Sequence, residues 1–154
     1  MFDTISGLPV HALVVHAVVV LLPLMAVLSV LVAAVPKWRK YLSWVVLGNA
    51  SVLVAAFVAK QSGEALRARL GGEIAKNHAQ WGNLVPFFAF FLLVASVIAW
   101  WATRRGGVRV PNSIGLVGVA AVAAVAMTVV TGDTGARAVW ETTIAHTSPP
   151  AGDR

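Results

Sequence analysis

Four stretches of the chain contain no charged residue: Thr4 to Val35, Tyr41 to Ala59, Ala79 to Thr103 and Val110 to Gly132. A helix needs about 20 mostly apolar residues to cross the hydrocarbon of a bilayer, so each stretch is long enough to span, or within a residue of it. The pattern predicts an all-α fold: an integral membrane four-helix bundle over residues 1–146, with spans at about 8–35, 41–60, 79–103 and 112–131. The remaining 147–154, rich in Pro, Gly and small polar residues, lacks the apolar content to fold and reads as a disordered tail.

Local signals refine these elements. Pro9 suits a first helical turn, Pro23 predicts a mid-span kink, and Pro36 stops span one. Asn49 is the conspicuous polar residue of span two and reads as a hydrogen bond between packed helices. Span three is rich in Phe and contains Pro86. In span four, Ala120, Ala124 and Thr128 recur every four residues, a small-residue face for close packing inside the bundle or, alternatively, in a homodimer. Between spans two and three, Leu66, Leu70 and Ile74 also repeat every four, with Arg67, Arg69, Glu73 and Lys76 on other faces. That spacing predicts a short interfacial amphipathic helix, with Ser62 capping its start. No internal repeat is read from the sequence.

Composition supports the membrane reading. Of the 154 residues, 58% are hydrophobic and only 12% charged, with a mean hydropathy of +0.81. A soluble domain carries about a quarter charged residues, so this chain cannot cover a water-facing surface. The net charge of +6 does not indicate nucleic acid, because of where it lies. Lys37, Arg39 and Lys40 follow span one, and Arg104, Arg105 and Arg109 follow span three, with no acid among them. All six acids lie on the other side, with the remaining basic residues. Short acid-free basic loops against span ends mark the cytoplasmic face, so both termini are expected outside, in an inner (plasma) membrane. The Trp residues agree: Trp38, Trp44, Trp100 and Trp101 fall at one set of span ends, Trp81 and Trp140 at the other.

The absence of cysteine excludes disulfides, thiolate iron–sulfur ligation and covalent haem attachment within this chain. Asp3 and a long apolar run are unlike a cleavable signal peptide. Candidate chemistry gathers on the outer side, which holds His11, His16, His78, His146 and every carboxylate. His11 and His16, five residues apart, point about 140° away from each other on a helix and differ in depth by roughly 7.5 Å, so they cannot chelate one ion together. His11 and His78 have similar depths and can approach if spans one and three are neighbours. Three readings stay open: His11 or His16 paired with His78 as axial ligands of haem b; His11, Glu64, His78 and Asp133 as ligands of a metal ion such as zinc or copper; or histidines satisfied by backbone and water. No span carries a midplane acid, lysine or arginine, which disfavours an ion-coupled transporter, and no catalytic constellation is present.

The segment Gly7-Leu8-Pro9-Val10-His11, with His16 and Pro23 beyond it, resembles the opening Gly-Leu-Pro-x-His-Pro-x-x-Val-His segment of domain-of-unknown-function family 2231, whose members have four predicted spans. The likeness continues through Gln61-Ser62-Gly63-Glu64, His78 and Thr131 to Trp140. Ala12 stands where that family often has proline, and Asp133 where it commonly has histidine. The resemblance implies a membrane fold. Through members carrying a fused Rieske domain, it also implies proximity to electron transfer. The expectation is a redox-associated membrane subunit holding haem b or a transition metal at an outer histidine/carboxylate cluster, contacting the lipid bilayer and a membrane redox partner. The alternative is a cofactor-free scaffold that docks a partner through the small-residue face or the outer loop.

Overall fold

Leucine, valine and alanine runs in lipid satisfy their backbone polar groups only within helices, and each uncharged stretch forms a long helix over most of its length. The computed structural model describes residues 4–5, 8–69, 76–105, 109–145 and 147. A two-residue antiparallel ladder, β1 (Thr4–Ile5) against β2 (Leu8–Pro9), leads into α1 (Val10–Ala34). A 3₁₀ segment (Pro36–Tyr41) joins α1 to α2 (Leu42–Arg69); α3 (Lys76–Gly82) precedes α4 (Val85–Arg105), and α5 covers Arg109–Ala145. The four long elements are each apolar and long enough to cross a membrane.

Proline positions set several boundaries. Val35 is extended, with φ −88° and ψ 111°, as the ring of Pro36 demands of the residue before it, and α1 ends there. Pro86 lies in the first turn of α4, where its missing N–H costs nothing. Pro9 closes β2 rather than opening the first turn of α1, and α1 continues through Pro23.

One local expectation needs correcting. The segment after Lys60 does not start a separate interfacial helix; α2 runs on to Arg69. Ser62 is therefore interior, donating to the carbonyls of Val58 (2.8 Å) and Ala59 (3.1 Å), and caps nothing. The chain between Lys60 and Arg69 contains one isolated glycine, which a helix tolerates at about 1 kcal/mol. Leu70 and Ile74 lie outside the described residues, as do His146 and 148–154. The short helix between the spans is α3. At about 1.5 Å per residue, α2 and α5 reach roughly 42 and 55 Å, well past a hydrocarbon core of about 30 Å, so both overhang the bundle at the end that carries the histidines.

The helices form a ring in the order α1, α2, α4, α5, with α1 and α4 on a diagonal. Leu22, Leu92, Val117 and Ala124 are fully buried on its axis, while Val20, Val54, Val119 and Val122 project outward. This inside-out distribution is that of a bundle solvated by lipid. Ala120, Ala124 and Thr128 are buried, so the small-residue face of α5 is used within the bundle and is not presented to a second copy. At mid-height, Asn49 donates to Ser29 Oγ (3.0 Å) and Ser96 Oγ (2.9 Å), tying α2 to α1 and α4 as a packing hydrogen bond should.

Ser29 and Ser96 disclose a repeat that the sequence reading missed. They are 67 residues apart, and so are His11 and His78, as well as the buried pairs Val18/Val85 and Leu22/Ala89. In the second helix of each hairpin the offset is 72, relating Val45 to Val117, Val52 to Ala124, Ala56 to Thr128 and Ala59 to Thr131, all buried. The fold is two copies of one helical hairpin, α1–α2 and α4–α5, facing each other across the bundle axis.

Candidate functional site

The two hairpins build one device twice, at the overhanging end. In the first, His11 sits at the start of α1 and its Nδ1–H donates to the carbonyl of Ala59 on α2 (2.9 Å). In the second, His78 on α3 donates from Nδ1 to the carbonyl of Thr131 on α5 (3.1 Å). Each carbonyl also accepts a hydroxyl from three residues on: Ser62 to Ala59 (3.1 Å) and Thr134 to Thr131 (3.0 Å). One residue further, a glycine makes room for the ring. A β-carbon on Gly63 would lie 2.8 Å from His11 Cε1, and one on Gly135 would lie 3.0 Å from His78 Cε1. The device reads directly in sequence as Val58-Ala59-Lys60-Gln61-Ser62-Gly63 and Val130-Thr131-Gly132-Asp133-Thr134-Gly135.

The rings so held meet in a T-shaped arrangement. His11 and His78 have centroids 6.2 Å apart with planes at 70°. Donation from Nδ1 leaves Nε2 of each ring as the nitrogen that can offer a lone pair when the imidazole is neutral. Both side chains are half-buried. Beside His78, the hydroxyl of Thr131 is buried and has no hydrogen-bond partner, and in the first hairpin its place is taken by Ala59. The structure therefore brings together the one histidine pair whose depths match, although α1 and α4 touch little: α3 carries His78 inward over the end of the bundle.

The other expected site residues are elsewhere. His16 is exposed on the outer surface of α1, and its Nδ1–H is satisfied by the carbonyl of Ala12 one turn back. Its five-residue spacing from His11 turns it away from the bundle, so it makes no pair with His78. Glu64 is exposed and lies 3.8 Å from Lys60 on its own helix. Asp133 is likewise exposed and accepts from Arg137 Nε at 2.8 Å. The four-residue metal set of His11, Glu64, His78 and Asp133 is not assembled; among the described residues, no three His, Asp or Glu side chains converge on a common point. The repeat explains why the carboxylates stand apart. The counterpart of Glu64 is Ala136 and that of Asp133 is Gln61, so neither carboxylate belongs to the duplicated clamp. Ser62, Gly63, Thr134 and Gly135 are the residues sequence reasoning missed, and the twin Ser/Thr-Gly pairs were the signal for them.

Residues 7–148 match the family model described as predicted membrane protein (DUF2231), and the chain belongs to that family. No curated protein and no solved structure matches it.

Proposed function

We propose that this protein is a redox-associated membrane subunit that binds a transition-metal centre, a b-type haem iron, between His11 and His78. The observation that carries this is the duplicated clamp, two imidazoles with Nδ1 engaged by a carbonyl and Nε2 left to coordinate. Ligating histidines characteristically give their second N–H to a backbone carbonyl or carboxylate, which fixes the ring and raises its basicity. With metal–nitrogen bonds of about 2.0–2.1 Å and each nitrogen about 1.1 Å from its ring centre, two imidazoles on one metal atom have centroids roughly 5 Å apart at a tetrahedral angle and roughly 6.3 Å apart on opposite sides. The observed 6.2 Å lies at the upper edge of that span.

The ligand count favours haem over a bare ion. Zinc sites take three or four protein ligands, whereas haem iron brings four macrocycle nitrogens and needs only two axial ones. His11 and His78 would hold the iron through Nε2, and the haem would supply a one-electron redox centre at the rim of the bundle. With no cysteine in the chain, attachment would be non-covalent. We further place the histidine end outside the plasma membrane, because the six basic residues at the other end face no acid. A redox partner would then exchange electrons at the outer face.

Purification in detergent from haem-replete cells, followed by an absorption spectrum and elemental analysis, tests this reading. A Soret band that shifts on dithionite reduction, with iron near one equivalent, is expected. A colourless, metal-free preparation leaves only the cofactor-free scaffold.

A further inference from the structure

The opposite end of the bundle carries a second built site. A cavity of about 350 Å³ lies between the 3₁₀ segment and the last turn of α4, lined by Arg39, Lys40, Ser43, Trp100, Thr103 and Arg104, among others. We propose that it binds the phosphate of an anionic membrane lipid.

Charge is the first argument. Three cations surround this space, and the sequence holds no acid between Asp3 and Glu64 or between Glu73 and Asp133. Like charges gathered around one cavity repel, and an anion entering it meets no competing carboxylate from either connecting segment. Pre-organisation is the second. Arg39 Nε donates to the carbonyl of Ala33 (2.9 Å), one of the orphan carbonyls at the C-terminus of α1. That bond holds the guanidinium at the cavity. The Arg104 guanidinium stacks 4.7 Å from the Trp100 ring centre, which fixes its plane while leaving its N–H edge for an acceptor. Ser43 and Thr103 add hydroxyl donors to the wall. A planar guanidinium fork and hydroxyls are the groups that recognise phosphate oxygens.

Position supplies the third argument and selects the source. Trp38, Tyr41, Trp44 and Trp101 are exposed around this end, and such aromatic rings sit at headgroup depth. A cavity at that depth meets lipid phosphates before soluble ones, and basic pockets between helices are known headgroup sites. At the small end of ligand cavities, about 300–1,000 Å³, it has room for a phosphodiester and its glycerol.

The test is binding to the purified full chain in neutral detergent, read by native mass spectrometry and thermal shift. The probes are phosphatidylglycerol, phosphatidylcholine and inorganic phosphate. Phosphatidylglycerol is expected to bind and stabilise; phosphatidylcholine, whose ammonium the cavity repels, is expected to bind at least tenfold more weakly. Arg39→Gln and Arg104→Gln should each weaken binding about five- to tenfold. Arg39→Lys, which keeps the charge but loses the fork and the bond to Ala33, should restore only part of it, and replacing Arg105, which stacks on Trp101 instead, by Gln should change little. Saturation by inorganic phosphate, lost in the same two variants, would uphold the phosphate site and assign a soluble source. Equal binding of both lipids, or equal loss in Arg105→Gln, would overturn the proposal.

Discussion

The two hairpins share a scaffold and differ in what hangs on it. Both supply a histidine ahead of the buried helix core, His11 at the start of α1 and His78 on α3 before α4, with a carbonyl to receive it, a hydroxyl three residues on and a glycine beneath the ring. They differ at mid-height, where Asn49 in the first hairpin corresponds to Ala121 in the second, and at the rim, where the counterparts of the carboxylates Glu64 and Asp133 are the uncharged Ala136 and Gln61. What is duplicated is the imidazole clamp, and what is unique is either packing or surface. Ionisable residues draw the eye in a membrane protein, but here the uncharged Ser-Gly and Thr-Gly pairs define the site.

The largest expected effect comes from breaking the clamp in either half. Gly63→Ala places a β-carbon against His11, and Gly135→Ala does the same to His78. Each ring must shift against its carbonyl, the more so at Gly63, and disturbing such a supporting bond lowers the metal affinity of a ligating histidine by up to about 10–100-fold. Helix stability should hold or rise, since alanine is favoured over glycine by about 1 kcal/mol. Gly118→Ala, where the new methyl meets open space, should leave affinity unchanged. Equal metal retention in all three would mean the glycine beds are irrelevant.

The next effect tests the asymmetric centre. Asn49→Leu removes two buried hydrogen bonds between helices, each worth about 0.6 kcal/mol and at most about 1.7 in a membrane protein. A loss of about 1–2 kcal/mol in detergent unfolding is expected, with the histidine end unaffected. The cost stays modest because Ser29 and Ser96 already donate to the carbonyls of Met25 (2.6 Å) and Leu92 (2.8 Å) on their own helices.

The smallest effects belong to the unduplicated carboxylates. Glu64→Gln and Asp133→Asn break exposed pairs with Lys60 and Arg137 one turn away, and such pairs contribute less than about 0.5 kcal/mol. Stability and metal content should both be near wild type. A large drop in bound metal for either would return the carboxylates to the site.

The spans were legible because lipid solvation demands a long uncharged run, and the ends were legible from Trp and basic residues. Asn49 was read as a packing bond for the same reason: a polar group in hydrocarbon must find a partner. The repeat was hidden because the two helices of each hairpin carry different offsets, 67 and 72, and because Leu, Val and Ala exchange freely along lipid-facing and core positions alike. The overhang of α2 was missed because a charged, Gly-containing stretch looks like a loop until the Lys60–Glu64 pair and the packing of His11 on Gly63 show why it stays helical. His16 was a candidate as one of the outer histidines, and its exposed position on α1 turns it away from His78.

Titration of the metal-free protein with haemin, monitored in the Soret region, is the most direct trial of the paired histidines. Wild type and His16→Ala should each bind one equivalent with a low-spin, bis-imidazole spectrum, and His11→Ala and His78→Ala should each lose it. Undiminished binding in His11→Ala and His78→Ala, or its abolition in His16→Ala alone, would contradict the pairing.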